Sequence, residues 1–170
     1  MRRGRRRAAL ATAALALWAA SVAAQGTRVV AKHGVWSVLA NDADAAGSCF
    51  AAATPKSSEP AGADREPAYV YVSAWPKEGV KTELSLNSGY LFRKGSVVTV
   101  TIGPVNFALF TAGDRAYVAD PTAELKLIDA MKKAPSMSVQ GVSEHGTSTR
   151  DVYELAGLTQ ALAAITKGCG

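Results

Sequence analysis

The chemistry of the chain is limited first by its imidazoles. His33 and His145 are the only two histidines among 170 residues. Nucleophilic hydrolysis needs a nucleophile, a base beside it and an acid that orients the base. His145 adjoins Glu144 in a Glu-His-Gly step, and His33 lies well upstream, before the first clear strand pattern. No G-x-S-x-G elbow supplies a serine for either. H-E-x-x-H, P-loop and G-x-G-x-x-G spacings are missing as well. Paired carboxylates can do acid–base work in glycoside hydrolysis, and Asp42 with Asp44, or Asp64 with Glu66, are such pairs by count. Both sit in polar stretches where nothing apolar would raise one carboxyl above its partner. Solvated loop charge is the expected role for these acids, and a solvated turn for His145. No catalytic, cofactor-binding or metal-ligating set is assigned, and the chain reads as non-enzymatic.

The cysteines offer redox chemistry. Cys49 and Cys169 make an even count, and two cysteines in an exported chain suggest a disulfide. Export is expected from the N-terminus. Arg2, Arg3, Arg5, Arg6 and Arg7 precede an apolar run from Ala8 to Ala20, which exits through Ser21-Val22-Ala23-Ala24-Gln25. A charged start, a short apolar run and small residues at the exit are the order of a secretory signal, with cleavage after Ala23 or Ala24. The run is shorter than the ~20 apolar residues that span a bilayer, so no anchor is expected after cleavage. No cysteine stands at the cut, which disfavours a lipoprotein. The expected division is a signal over 1–24 and one domain over 25–170.

Cleavage changes the charge. The chain carries 19 basic and 14 acidic residues. Loss of the five leading arginines leaves 14 against 14, a near-neutral body. A nucleic-acid footprint is therefore not expected, and Lys132-Lys133 or Arg93-Lys94 read as solvated pairs.

The elements that would position these residues are mostly strands. Val35–Leu39 reads as a first strand after a loose leader, and Cys49–Thr54 as its return. Residues 55–67 read as the longest loop. Tyr69–Trp75 is rich in aromatic and β-branched residues, and Thr82–Leu86 alternates polar with apolar. Ser96–Ile102, Asn106–Phe110 and Ala116–Val118 suggest a meander around Gly103-Pro104 and Gly113-Asp114. Asp120-Pro121 opens a helix with a capping side chain and a favourable first residue. Leu125, Ile128 and Met131 form its expected apolar stripe, and Pro135 stops it. Ser136–Val142 and Thr147–Leu155 read as a hairpin, followed by a helix over Leu158–Ile165. The expectation is a mainly β fold, a β-sandwich or partly open barrel of about eight to nine short antiparallel strands with two peripheral helices. No βαβ alternation supports a parallel sheet. Most aromatics fall on strands and should be core; Trp75 and Tyr90, at strand or loop edges, are the candidate binding surface.

Val35-Trp36-Ser37-Val38, Cys49 and Thr54-Pro55-Lys56-Ser57-Ser58-Glu59-Pro60 resemble the opening of invasion-associated locus B (IalB) family proteins. The resemblance runs on in order through Trp75–Val80, Leu84–Tyr90, Lys94-Gly95-Ser96, Phe107–Asp114, Ala119-Asp120-Pro121, Ala130–Lys133, His145–Asp151, Tyr153, the Leu158 helix and Cys169. Leu91 departs from the proline common there. The resemblance implies a cell-envelope protein of a Gram-negative bacterium, in the periplasm or at the outer surface. The family is named for host-cell invasion, and many members look like general envelope proteins. It supplies no catalytic residues to carry over.

Three functions are open to such a chain. The first is a non-enzymatic exported protein that binds a protein or another envelope component. The second is a small periplasmic hydrolase using carboxylates or His145. The third is a soluble small-ligand carrier, which needs a deep apolar pocket.

Overall fold

A computed structural model of the chain describes residues 26–41, 48–62, 65–75 and 80–167, without the side chains of Trp75, Val80 and Lys81. Among the described residues, eleven strands and two helices run in chain order: β1 Thr27–His33, β2 Trp36–Asn41, β3 Cys49–Ala53, β4 Ser57–Glu59, β5 Tyr69–Trp75, β6 Val80–Asn87, β7 Val97–Ile102, β8 Val105–Ala112, β9 Arg115–Tyr117, α1 Pro121–Lys133, β10 Ser136–Val142, β11 Ser148–Glu154 and α2 Leu158–Lys167. The strands make one antiparallel sheet in the order β1-β2-β3-β5-β6-β9-β8-β7-β10-β11-β4. The mainly β reading with two helices holds. The strands exceed the expected eight or nine because the supposed leader forms β1 and the supposed long loop contains β4.

This sheet cannot be flat. Residues 54–56 alone join β3, third in the order, to β4 at the far margin. Four extended steps reach at most ~14 Å, whereas eight strand spacings in a flat sheet cover ~38 Å. The sheet therefore curls until its two halves adjoin, while β1 and β4 stay unpaired to each other. Of the two expected forms, the connectivity selects the open-edged one. The turn between β1 and β2 also meets the turn before α2, where Val35 N donates to Ala156 O at 3.4 Å. A Cβ on Gly157, whose φ is +93°, would lie 2.0 Å from His33 O. Glycine satisfies both the left-handed backbone and the close approach.

Strand alternation sends one set of residues inward. Trp36, Val38, Ala51, Val70, Val72, Leu84 and Leu86 from one half meet Val98, Val100, Leu109, Met137, Val139 and Tyr153 from the other in one buried cluster. Helix α2 packs on β1, β2, β3 and β5, burying Leu158, Ala161, Leu162 and Ile165. Helix α1 starts as its sequence suggests: the Asp120 carboxylate accepts from Ala123 N at 2.7 Å. Its buried face is Leu127, Ile128 and Met131. Leu125, expected in that stripe, is 59% exposed, because α1 leans on α2 and β6 along a face rotated toward Leu127.

Candidate functional site

The outward face of the sheet carries the feature with the clearest capacity to bind. Register places Ala52, Tyr71, Ser85, Tyr117, Phe110 and Val97 side by side across β3, β5, β6, β9, β8 and β7. Directly paired residues of antiparallel strands project to the same side, so these six form one transverse row. Ser85 is small and buried between the two tyrosines. Phe110 and Val97 are 48% and 55% exposed. Around the row, Phe50 meets Tyr71 edge-on at 6.0 Å between centroids. Tyr69 stacks with Tyr71 at 5.6 Å and 28°, and Phe110 lies 5.7 Å from Tyr117. The Arg115 guanidinium sits 5.4 Å from the Tyr71 ring centre, a cation–π distance. Burial raises the Tyr71 phenol above its ordinary value, and Arg115 pulls it the other way.

Beside this row opens a cleft of about 620 Å³, walled by Tyr69, Tyr71 and Tyr90 with Glu66, Asn87 and Asp114. Its polar groups are held in place. Asn87 Nδ2 donates to Asp114 Oδ2 at 2.7 Å, and Asn87 Oδ1 accepts from Gly89 N at 2.8 Å. Gly89 has φ +72°, and a Cβ there would sit 1.8 Å from Glu66 O. The loop after β6 can therefore close on Glu66, whose N–H donates to Gly89 O at 3.0 Å. A second hollow of about 710 Å³, with Thr99, Gln140 and Arg150 in its lining, lies by β4 and has no aromatic ring among its described lining residues.

Beneath the cleft lies a buried polar layer. The side chains of Arg65 and Asp151 are 8% and 2% exposed. Arg65 Nη1 donates to Asp151 Oδ2 and to Ser88 O, each at 2.9 Å, and Nη2 donates to Asp151 Oδ1. The hydrogen bond to Asp151 holds the Arg65 guanidinium above its ordinary value. Tyr90 is half-buried; its hydroxyl is 2.5 Å from Thr149 Oγ1, and its ring lies 5.8 Å from the Arg65 guanidinium. Burial pushes the neighbouring Tyr153 phenol far above the usual range.

The residues singled out from sequence scatter over this frame. Tyr90 joins the cleft wall. Trp75 ends β5, and its side chain lies outside the described residues. Register sets Tyr69 opposite Asn87 and Trp75 opposite Val80, so Tyr90 and Trp75 belong to opposite ends of the β5–β6 pair. Cys49 is buried in β3 and is not a free thiol; Cys169 lies outside the described residues. Ala23, Ala24, Asp42, Asp44 and Asp64 lie outside them too. His145 projects into solvent, 86% exposed and 3.7 Å from Glu144, and His33 ends β1. The sequence leads one to expect most strand aromatics in the core, yet Tyr69, Tyr71 and Phe110 lie on the outer face. Their alternation with Val70, Val72 and Leu109 was the signal that they face outward.

A family model described as Invasion associated locus B (IalB) protein matches residues 36–166. Comparison with solved structures finds the crystal structure of invasion associated protein b from Bartonella henselae, with a TM-score of 0.55 and 12% identity, covering 83% of this chain and 96% of that one. At that identity the likeness is one of fold. A search of curated proteins finds no match. With the family model spanning β2 to the last turn of α2, the chain belongs to the invasion-associated locus B family.

Proposed function

We propose that this chain is an exported cell-envelope protein that works without catalysis, by binding a macromolecular or envelope partner through the outer face of β5–β6–β9–β8. The aromatic row through Tyr71, Tyr117 and Phe110 carries the reading. A solvent face normally bears scattered apolar residues, whereas here exposed Phe110 and half-buried Tyr117 and Tyr71 line one side of the sheet, and clustered aromatic rings are a mark of interaction surfaces. Export is supported by the arginine-rich start, the apolar run and the Ala23-Ala24 exit. A Cys49–Cys169 bridge fits the same compartment. Cys169 follows the end of α2 by two residues, and α2 packs on β3, which holds Cys49. The bridge would staple the last element to the third strand. A host-cell role, from which the family takes its name, belongs to the same proposal as one setting in which the surface could act.

The test pairs intact-mass analysis of the periplasmic protein with capture from fractionated envelope, using wild type and the Tyr71→Ala and Phe110→Ala variants. A mass matching cleavage after Ala23 or Ala24, with capture lost in folded variants, is the expected result. A full-length cytosolic product, or variants that keep every partner, overturns it.

A further inference from the structure

The partner-binding reading leaves the partner's chemistry open, and the cleft beside Tyr69 and Tyr71 narrows it. Resting on that reading, we infer that the cleft takes a neutral glycan, its sugar faces against the two tyrosine rings and its hydroxyls bonded to Asn87, Asp114 and Glu66.

The lining excludes the competing classes. An acyl chain would bury the Asn87 amide and the Asp114 carboxylate against hydrocarbon, which costs free energy for every lost hydrogen bond. A phosphate or another polyanion would meet the carboxylates of Glu66 and Asp114 in the same wall. A cationic side chain would be drawn to Glu66 and Asp114, but it carries donors only and offers no acceptor to the Asn87 amide hydrogen that Asp114 leaves free. A neutral polyol carries an apolar C–H face and a rim of groups that both donate and accept. Aromatic rings edged by an amide and carboxylates match that pattern.

Size and rigidity agree. About 620 Å³ falls within the ~300–1,000 Å³ of sites that hold small organic ligands. The polar groups are set before any ligand arrives, because Asn87 is held by Gly89 N and Asp114, and Tyr90 by Thr149. Preorganisation of this kind reduces the entropy lost on binding. The cleft is also open to the outer face, as a chain longer than its site requires.

Isothermal titration of the native purified protein tests the inference with cellotetraose, chitotetraose and a sulfated tetrasaccharide. Saturable binding of at least one neutral oligomer is expected, weakened at least tenfold in Tyr69→Ala and Tyr71→Ala. Tyr71→Phe should keep most of the affinity, which separates a ring contact from a folding defect. Circular dichroism reports whether each variant is folded. Binding of chitotetraose alone would point to an N-acetylated wall-type strand, and binding of both to a broader glucan surface. Three results overturn the inference: no saturation by either neutral oligomer at millimolar concentration, binding of the sulfated sugar alone, or wild-type affinity in both folded alanine variants. If the neutral sugars fail while Tyr71→Ala still loses envelope capture, the glycan is wrong and the binding surface stands. If capture is unchanged as well, both fall.

Discussion

Arg65 and Asp151, 86 positions apart, close a bidentate ion pair beneath the aromatic cleft, and the same guanidinium reaches Ser88 O. One side chain thus ties the segment before β5 to both β11 and the loop after β6. Asp151 points inward between Thr149 and Tyr153, so its charge is taken out of water.

Removing one partner of this pair leaves the other buried and uncompensated. Asp151→Ala is expected to lose about 3–5 kcal/mol of unfolding free energy. The double variant Arg65→Met/Asp151→Leu, which removes both charges, should lose less. Urea denaturation of the three proteins measures the difference. Equal losses in single and double variants would show that packing, not charge, governs the site.

Gly141 supports the cleft from behind. A Cβ there would lie 2.8 Å from Phe92 Cε1 and 2.9 Å from Tyr90 Oη. Gly141→Ala should therefore push Tyr90 from Thr149 and cost about 1–3 kcal/mol through overpacking. Thermal melting reports the cost, and chemical shifts of Tyr90 report the movement.

Glu124 couples stability to pH. Burial holds its carboxyl above the ordinary 4.5, against a hydrogen bond from Leu84 N that lowers it. An acid whose pKa is higher in the folded chain binds protons more readily there, so its protonation favours folding. Its contribution is most favourable below the unfolded value and declines as pH rises through the folded one. Glu124→Gln removes this dependence, so the variant should gain on wild type as pH rises from below the ordinary 4.5 through the raised folded value. Unfolding curves at several pH values check the sign.

The proposed Cys49–Cys169 bridge closes nearly the whole domain. Its loss should cost about 4–5 kcal/mol in the chain-entropy model. Melting with and without reductant measures the effect, and Cys169→Ser should melt like the reduced wild type. A melting temperature insensitive to reductant would remove the bridge from the account.

How far the fold could be read depended on whether its cause was local. Asp120 and Pro121 start α1 by satisfying nearby backbone groups, and the structure shows that cap. The β5 and β7 runs alternate so strongly that strand is their consistent form. β1 and β4 were missed for a physical reason. Each pairs with a single neighbour at a margin of the sheet, and Thr27–His33 and Ser57–Glu59 carry polar or mixed side chains with no buried alternation to betray them. The Leu125 stripe failed similarly: periodicity marks an apolar face, but the neighbours α2 and β6 set which rotation is buried.

From residue order alone came the strand-rich class, the two helices with the cap of the first, and the absence of any recognised catalytic motif, because propensity, capping and motif spacing act over a few residues. Tertiary structure decided the rest. The curl of the sheet, the Arg65–Asp151 pair and the row from Tyr71 to Phe110 join residues from distant strands, and only antiparallel register determines which of them stand side by side.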